Sequence, residues 1–121
     1  MLYEETEKKE IERVYAVFAD YIRESLYLEW FWSDKLGYLL LKIGAEKRYI
    51  AKNVIIYTAE QVARILFSEV SMDVLRMTGN DHTEQTADPL ELAEIKRRWN
   101  PYIDQLPEYA YICDDLLSGR K

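Results

Sequence analysis

The chain is poor in the residues from which catalytic and metal sites are usually built. It has one cysteine, Cys113, and one histidine, His82. A single thiol excludes an internal disulfide and a cysteine-rich zinc site. A single histidine excludes the paired-histidine zinc motif of metalloproteases and the Glu-x-x-His pairs of di-iron bundles. The four glycines stand singly, so no glycine-rich phosphate loop is present. No nucleophile elbow and no zinc-finger spacing occurs. The chain opens without an apolar signal-like region, and no apolar run approaches the roughly 20 residues of a membrane span. A cytoplasmic protein away from membranes is the expectation.

What is present describes a folded domain. Apolar residues make up 49% of 121 positions, too many for a disordered chain. This length suits a single domain with a core of its own. The net charge is −6 and the pI about 4.9, which disfavours direct DNA binding. Charge is unevenly spread: residues 34–52 carry five basic and two acidic groups, against acidic stretches on both sides. That basic segment suits contact with the acidic flanks of the same fold.

The organising stretch is Thr58–Gly79. Thr58 and Gln61 have capping-box spacing, and Gly79 stands where a left-handed C-terminal cap is wanted. Between them Ala63, Leu66, Phe67, Val70, Val74 and Met77 share one helical face. Glu60, Arg64, Ser68 and Ser71 take the opposite face. Val62, Ile65 and Met72 form a flank interrupted by Glu69, Asp73 and Arg76.

The rest reads as helices that pack on this one. Residues 1–9 are charged and expected to fray. An amphipathic helix is expected over about 5–29, from Ile11, Val14, Tyr15, Phe18, Ile22 and Leu26. Leu26–Trp32 reads as the end of that helix or a short extended link. Its aromatics suit a corner of the core better than a base-stacking platform, which would need surrounding lysine and arginine. A second helix is expected from Ser33 or Asp34 through Leu36, Leu39, Leu40 and Ile43, with Gly44 as its stop. Residues 45–57 carry helical spacing at Tyr49, Ile50, Val54 and Tyr57, but β-branched residues at 54–57 also suit a strand. With no partner strand in view, helix is the reading. Asp88-Pro89-Leu90-Glu91 opens another helix. Lys96, Arg97 and Arg98 would close it by complementing its dipole, with Pro101 restarting the chain. A last helix runs from about Pro107 to Gly119. The expected fold is therefore all-α: a single-domain bundle of five to six amphipathic helices over residues 1–121.

Candidate chemistry is sparse. Glu69 and Asp73, one turn apart, are the best candidates for a cation site or an acid–base pair. Cys113 on an inner face reads as a small buried hydrophobe. Arg76 and His82, with five residues between them, have a spacing that resembles the Arg…His signature of the HEPN ribonucleases. That resemblance covers these two residues only and departs from the family at Met77. It implies a metal-independent RNA cleavage site shared between two protomers.

No cofactor or metal is expected. The leading expectation is a small acidic interaction or regulatory module without catalysis, acting as a homodimer or on a further protein partner. Its interface would lie at Val62, Ile65, Glu69, Met72 and Arg76. The alternatives are a HEPN-like ribonuclease and an acidic decoy that occupies a nucleic-acid-binding partner.

Overall fold

A computed structural model describes residues 2–44, 50–79 and 83–119. It divides into two compact units, residues 1–62 and 63–121. The expected all-α bundle of five to six helices is overturned. The described residues form four α-helices and a three-stranded antiparallel sheet.

In the first unit, helix α1 spans Glu5–Glu24. Ile11, Val14, Phe18 and Ile22 recur at helical spacing and are all buried. The helix stops five residues before the expected end at 29. Ser25 turns extended, and its hydroxyl accepts the Tyr27 N–H. From there the side chains alternate between two faces, which is the period of a strand. Strand β1 is Leu28–Ser33, β2 is Gly37–Ile43 and β3 is Ile50–Ile55. They pair in the order β1-β2-β3.

The helix expected through Leu36, Leu39, Leu40 and Ile43 is thus strand β2. It is the central strand, so its first four residues are buried irrespective of the face they point to. A strand apolar on both faces has no period by which to tell it from a buried helix. The helix expected over 45–57 is overturned by β3, which pairs Val54 with Leu40 and Ile55 with Leu39. Residues 45–49, Tyr49 among them, lie outside the described residues. The β1–β2 turn has three residues, 34–36. The Ser33 hydroxyl accepts from Lys35 and Leu36 N–H, and Gly37 closes the turn at φ +83°. A glycine in the left-handed region is what this hairpin type asks for.

The segment before α1 is tied to the sheet. Tyr38 and Ile56 would normally exchange two backbone hydrogen bonds. One is made, from Ile56 N–H to Tyr38 O at 2.9 Å. The Tyr3 hydroxyl stands in the other, accepting from Tyr38 N–H at 2.9 Å and donating to Ile56 O at 2.6 Å. Tyr3→Phe removes this bridge and leaves a part-buried donor and acceptor facing each other. The expected loss is about 1–3 kcal/mol in urea unfolding. A loss within about 0.5 kcal/mol, the range of ordinary surface changes, would mean that water replaces the hydroxyl without penalty.

Helix α2, Ala59–Thr78, starts in the first unit and continues through the second. The Thr58 hydroxyl accepts Gln61 N–H at 3.1 Å. The Gln61 side chain does not reach back as a capping box would; it turns to the end of β3, as detailed below. Gly79 has φ +68°, as expected of a left-handed cap. Ala63, Leu66, Phe67, Val70 and Val74 are buried, whereas Met77 is exposed and Ser71 fully buried. Both were placed on the wrong face from the sequence. Ser71 tolerates burial because its hydroxyl lies 2.8 Å from Ser68 O and 2.9 Å from a Glu84 carboxylate oxygen.

Also in the second unit are α3, Pro89–Gln105, and α4, Ala110–Ser118, preceded by short 3-10 turns at Glu84–Thr86 and Pro107–Tyr109. Asp88 and Glu91 form a complete capping box. The α3 helix continues through Pro101 instead of restarting there. Arg97 and Arg98 therefore lie mid-helix, where they bond to Glu94 in place of complementing a C-terminus. Hydrogen bonds from Arg97, then Arg98, hold the Glu94 carboxyl down at about 2.

Candidate interaction surface

The face of β1 that carries Leu28, Trp30 and Trp32 also carries Lys42, Leu40 and Tyr38 of β2, which stand directly opposite. Its aromatic rings form a continuous set with α1. Tyr15 stacks on Trp30 at 4.7 Å and 16°, and Trp30 stacks on Tyr38 at 5.2 Å. Trp32 meets Tyr38 edge-on at 4.8 Å, and Tyr3 lies over Tyr38 at 5.7 Å. The Lys8 ammonium lies 5.5 Å from the Trp32 ring centroid. These contacts bind α1 to the sheet through ring quadrupoles and apolar area together. Burial, followed by the charge of Glu12 and a hydrogen bond to it, pushes the Tyr38 phenol up. Tyr38 therefore stays protonated at neutral pH and can donate to the Glu12 carboxylate.

Trp30 is thus half-buried by contacts within the unit. Several of its neighbours in sequence are more exposed. Leu26 is 62% exposed, Phe31 52%, Leu36 46%, and Tyr27 and Trp32 just over 40%. These five large apolar side chains fall within eleven consecutive residues, on β1, its approach and its turn. Phe31 lies on the second face of the sheet with Leu39 opposite it, and Ile55 beyond. An open groove of about 550 Å³ lies alongside, lined by Tyr15, Ala19 and Arg23 of α1 and by Leu28, Glu29 and Trp30 of β1. The run Leu26–Trp32 was the visible signal of this surface in the sequence. Its apolar, aromatic content pointed there; its reading as a helix end or link hid that it has an edge.

The residues singled out on α2 are placed as follows. Val62 is fully buried and Glu69 nearly so. Ile65 and Met72 are half-buried and Arg76 exposed. Arg76 pairs with Asp73 one turn back and lies 3.5 Å from Glu69. The two carboxylates proposed for a cation or for acid–base work thus share one guanidinium. His82 lies outside the described residues, so its distance from Arg76 is not defined. Among the described residues, no group of three or more histidine, cysteine or acidic side chains is placed to hold a metal ion. Carboxylates elsewhere on the helices pair with cations, Glu10 with Arg13, Asp20 with Arg23 and Asp115 with Arg64.

Cys113 is buried in α4 and borders a shallow groove of about 220 Å³ with Trp99, Asn100 and Ile103 of α3. Burial, and secondarily the Asp114 charge, pushes its thiol up to about 12. At neutral pH it is a thiol, not the thiolate that nucleophilic chemistry needs.

Comparison with known protein families, with curated proteins and with solved structures finds no match to this chain. No helix among the described residues is long and apolar enough to cross a membrane.

Proposed function

We propose that this chain is a non-catalytic protein-interaction module that acts as a homodimer. The observation that supports this reading is the cluster of exposed apolar side chains at Leu26, Tyr27, Phe31, Trp32 and Leu36. Single exposed apolar residues are ordinary on a monomer, but five large ones within eleven residues of one edge strand, its approach and its turn favour a region that another molecule covers. Twofold pairing of identical chains is the commonest way to cover it. The proposed contact surface is therefore the β1 region and not the flank of α2.

Sedimentation equilibrium at micromolar concentration tests the reading. The mean mass should rise above the 14.4 kDa of one chain toward twice that value. Phe31→Glu should return it to the monomer, because the interface would then hold an unpaired charge. Leu90→Glu should not, since Leu90 is an exposed leucine at the start of α3, outside the β1 region. A monomer at every concentration rejects the homodimer.

A further inference from the structure

We infer that two copies pair through their β1 strands, edge to edge and antiparallel, with Phe31 of each copy opposite Phe31 of the other. The result is one continuous six-stranded sheet, three strands from each copy. This inference rests on the homodimer reading above and specifies its geometry.

The two edges of the sheet are finished differently. Hydrogen bonding identifies which groups each edge offers. Ile43 N–H donates to Tyr27 O at 2.8 Å, so Tyr27 and Ile43 are a hydrogen-bonded pair. Such pairs alternate along an antiparallel ladder. Glu29, Phe31 and Ser33 therefore aim their backbone groups at β2. Leu28, Trp30 and Trp32 aim theirs at the open side, where no strand of the described residues pairs with β1.

On β3 the bond from Ile56 N–H to Tyr38 O sets the same alternation, which leaves Ile55 and Tyr57 facing outward. Both are taken by one side chain. The Gln61 amide donates to Ile55 O at 2.8 Å and accepts from Tyr57 N–H at 2.6 Å. It occupies the place that a further strand would take. The pairing of β3 with β2 is also broken by a register shift at Lys42–Ile43, and β3 carries Lys52. Amide caps, bulges and lysines are devices that keep an edge from recruiting another strand. Strand β1 has none of them: its six residues pair in unbroken register and include no lysine and no proline.

The sequence of β1 selects a second β1 as the occupant. Outward groups must meet outward groups, so even-numbered residues stand opposite even-numbered ones. Two central registers satisfy this. One sets Trp30 opposite itself and Glu29 opposite Phe31, placing a carboxylate against an aromatic ring. The other sets Phe31 opposite itself, Trp30 opposite Trp32 and Glu29 opposite Ser33. The second gives aromatic cross-strand pairs and no like-charge pair, the combination that stabilises a sheet. It also brings exposed Leu26 toward exposed Leu36, since the two lie equally far from Phe31. Each Trp30–Trp32 pair then exchanges two backbone hydrogen bonds, using groups that no strand of the described residues takes.

The test is Phe31→Cys in the full chain. In this register the two Phe31 positions form a non-hydrogen-bonded pair with Cα atoms about 4.5 Å apart. That separation lies within disulfide reach. Mild oxidation should convert most of the variant to a disulfide-linked dimer. Asn53→Cys on β3 and the wild-type chain with its buried Cys113 should remain unlinked. The Trp30 and Trp32 amides should gain protection from hydrogen exchange as wild-type concentration rises. A dimer by sedimentation that shows neither the link nor this protection overturns the β1 pairing and leaves the homodimer reading standing. A mixture of Glu29→Cys and Phe31→Cys chains that links Glu29→Cys to Phe31→Cys in preference to Phe31→Cys to itself reports the register with Trp30 opposite itself and overturns this one. A monomer overturns both.

Discussion

Trp99→Ala is expected to lower the unfolding free energy by about 3–5 kcal/mol, the range for removing a buried aromatic side chain. Trp99 is 1% exposed and is the largest fully buried side chain among the described residues. It meets Phe67 of α2 edge-on at 6.3 Å and 88°, and its indole N–H donates to Phe67 O at 2.9 Å. The alanine variant loses the ring's apolar burial and opens a cavity between the helices that the ring joins. Trp99→Phe keeps most of the volume and loses the hydrogen bond, so it should cost less than half as much. Urea unfolding followed by far-UV circular dichroism measures both. A loss below about 1 kcal/mol for the alanine variant would place it among ordinary substitutions and remove Trp99 as the centre of the second unit. Trp32→Ala, on a ring 41% exposed, should cost far less in a monomer.

The second unit was the more legible part of the sequence because its signals are local. Asp88, Pro89 and Glu91 announce the start of α3 within four residues, and the structure forms that capping box in full. Gly79 and Gly119 both take the left-handed conformation that ends a helix. Pro101 misled because a proline signals a break only through the local backbone. Packing of Trp99 and Ile95, both buried, outweighs the one hydrogen bond that its ring removes. The first unit failed for a different reason. Leu36, Leu39, Leu40 and Ile43 happen to step by three and four, but the run belongs to a central strand, whose burial has no helical period. Reading it as helix removed the partner of β3. The β-branched residues at 54–57 were then set aside for want of a strand to pair with. A single wrong period thus cost two strands, since sheet formation depends on residues distant in sequence.

The candidate surface shared that fate. Trp30, Phe31 and Trp32 are visible as an aromatic run, yet an edge exists only once the strand order is known. The α2 flank looked available because helical spacing assigns faces without saying what covers them. Val62 and Glu69 are in fact buried. The separation of Arg76 from His82 also could not be judged from spacing, and the described part of the site shows only that Arg76 lies beside two carboxylates.

Gly37→Ala is expected to cost about 2–5 kcal/mol, from two separable causes. Gly37 has φ +83°, where a residue with a Cβ pays about 1–2 kcal/mol. The added methyl also runs into the Tyr3 ring, with Cε2 at 2.8 Å and Cζ at 2.9 Å from the new carbon. Relieving such a clash in a packed site costs typically about 1–3 kcal/mol. It must also move the Tyr3 hydroxyl that links Tyr38 to Ile56. The two causes can be told apart with a double-mutant cycle. In a Tyr3→Ala background the clash is already gone, so Gly37→Ala should cost only the backbone share. The coupling between the two changes should then be about 1–3 kcal/mol, the size expected for residues in contact. Gly79→Ala supplies the control. Its φ is +68°, but no atom of the described residues lies within 4 Å of the added carbon. It should cost the backbone share alone, with no coupling to Tyr3. Additive losses at Tyr3 and Gly37 would mean that the turn and the N-terminal arm are independent, and that the Tyr3 hydroxyl is not what closes the sheet at Ile56.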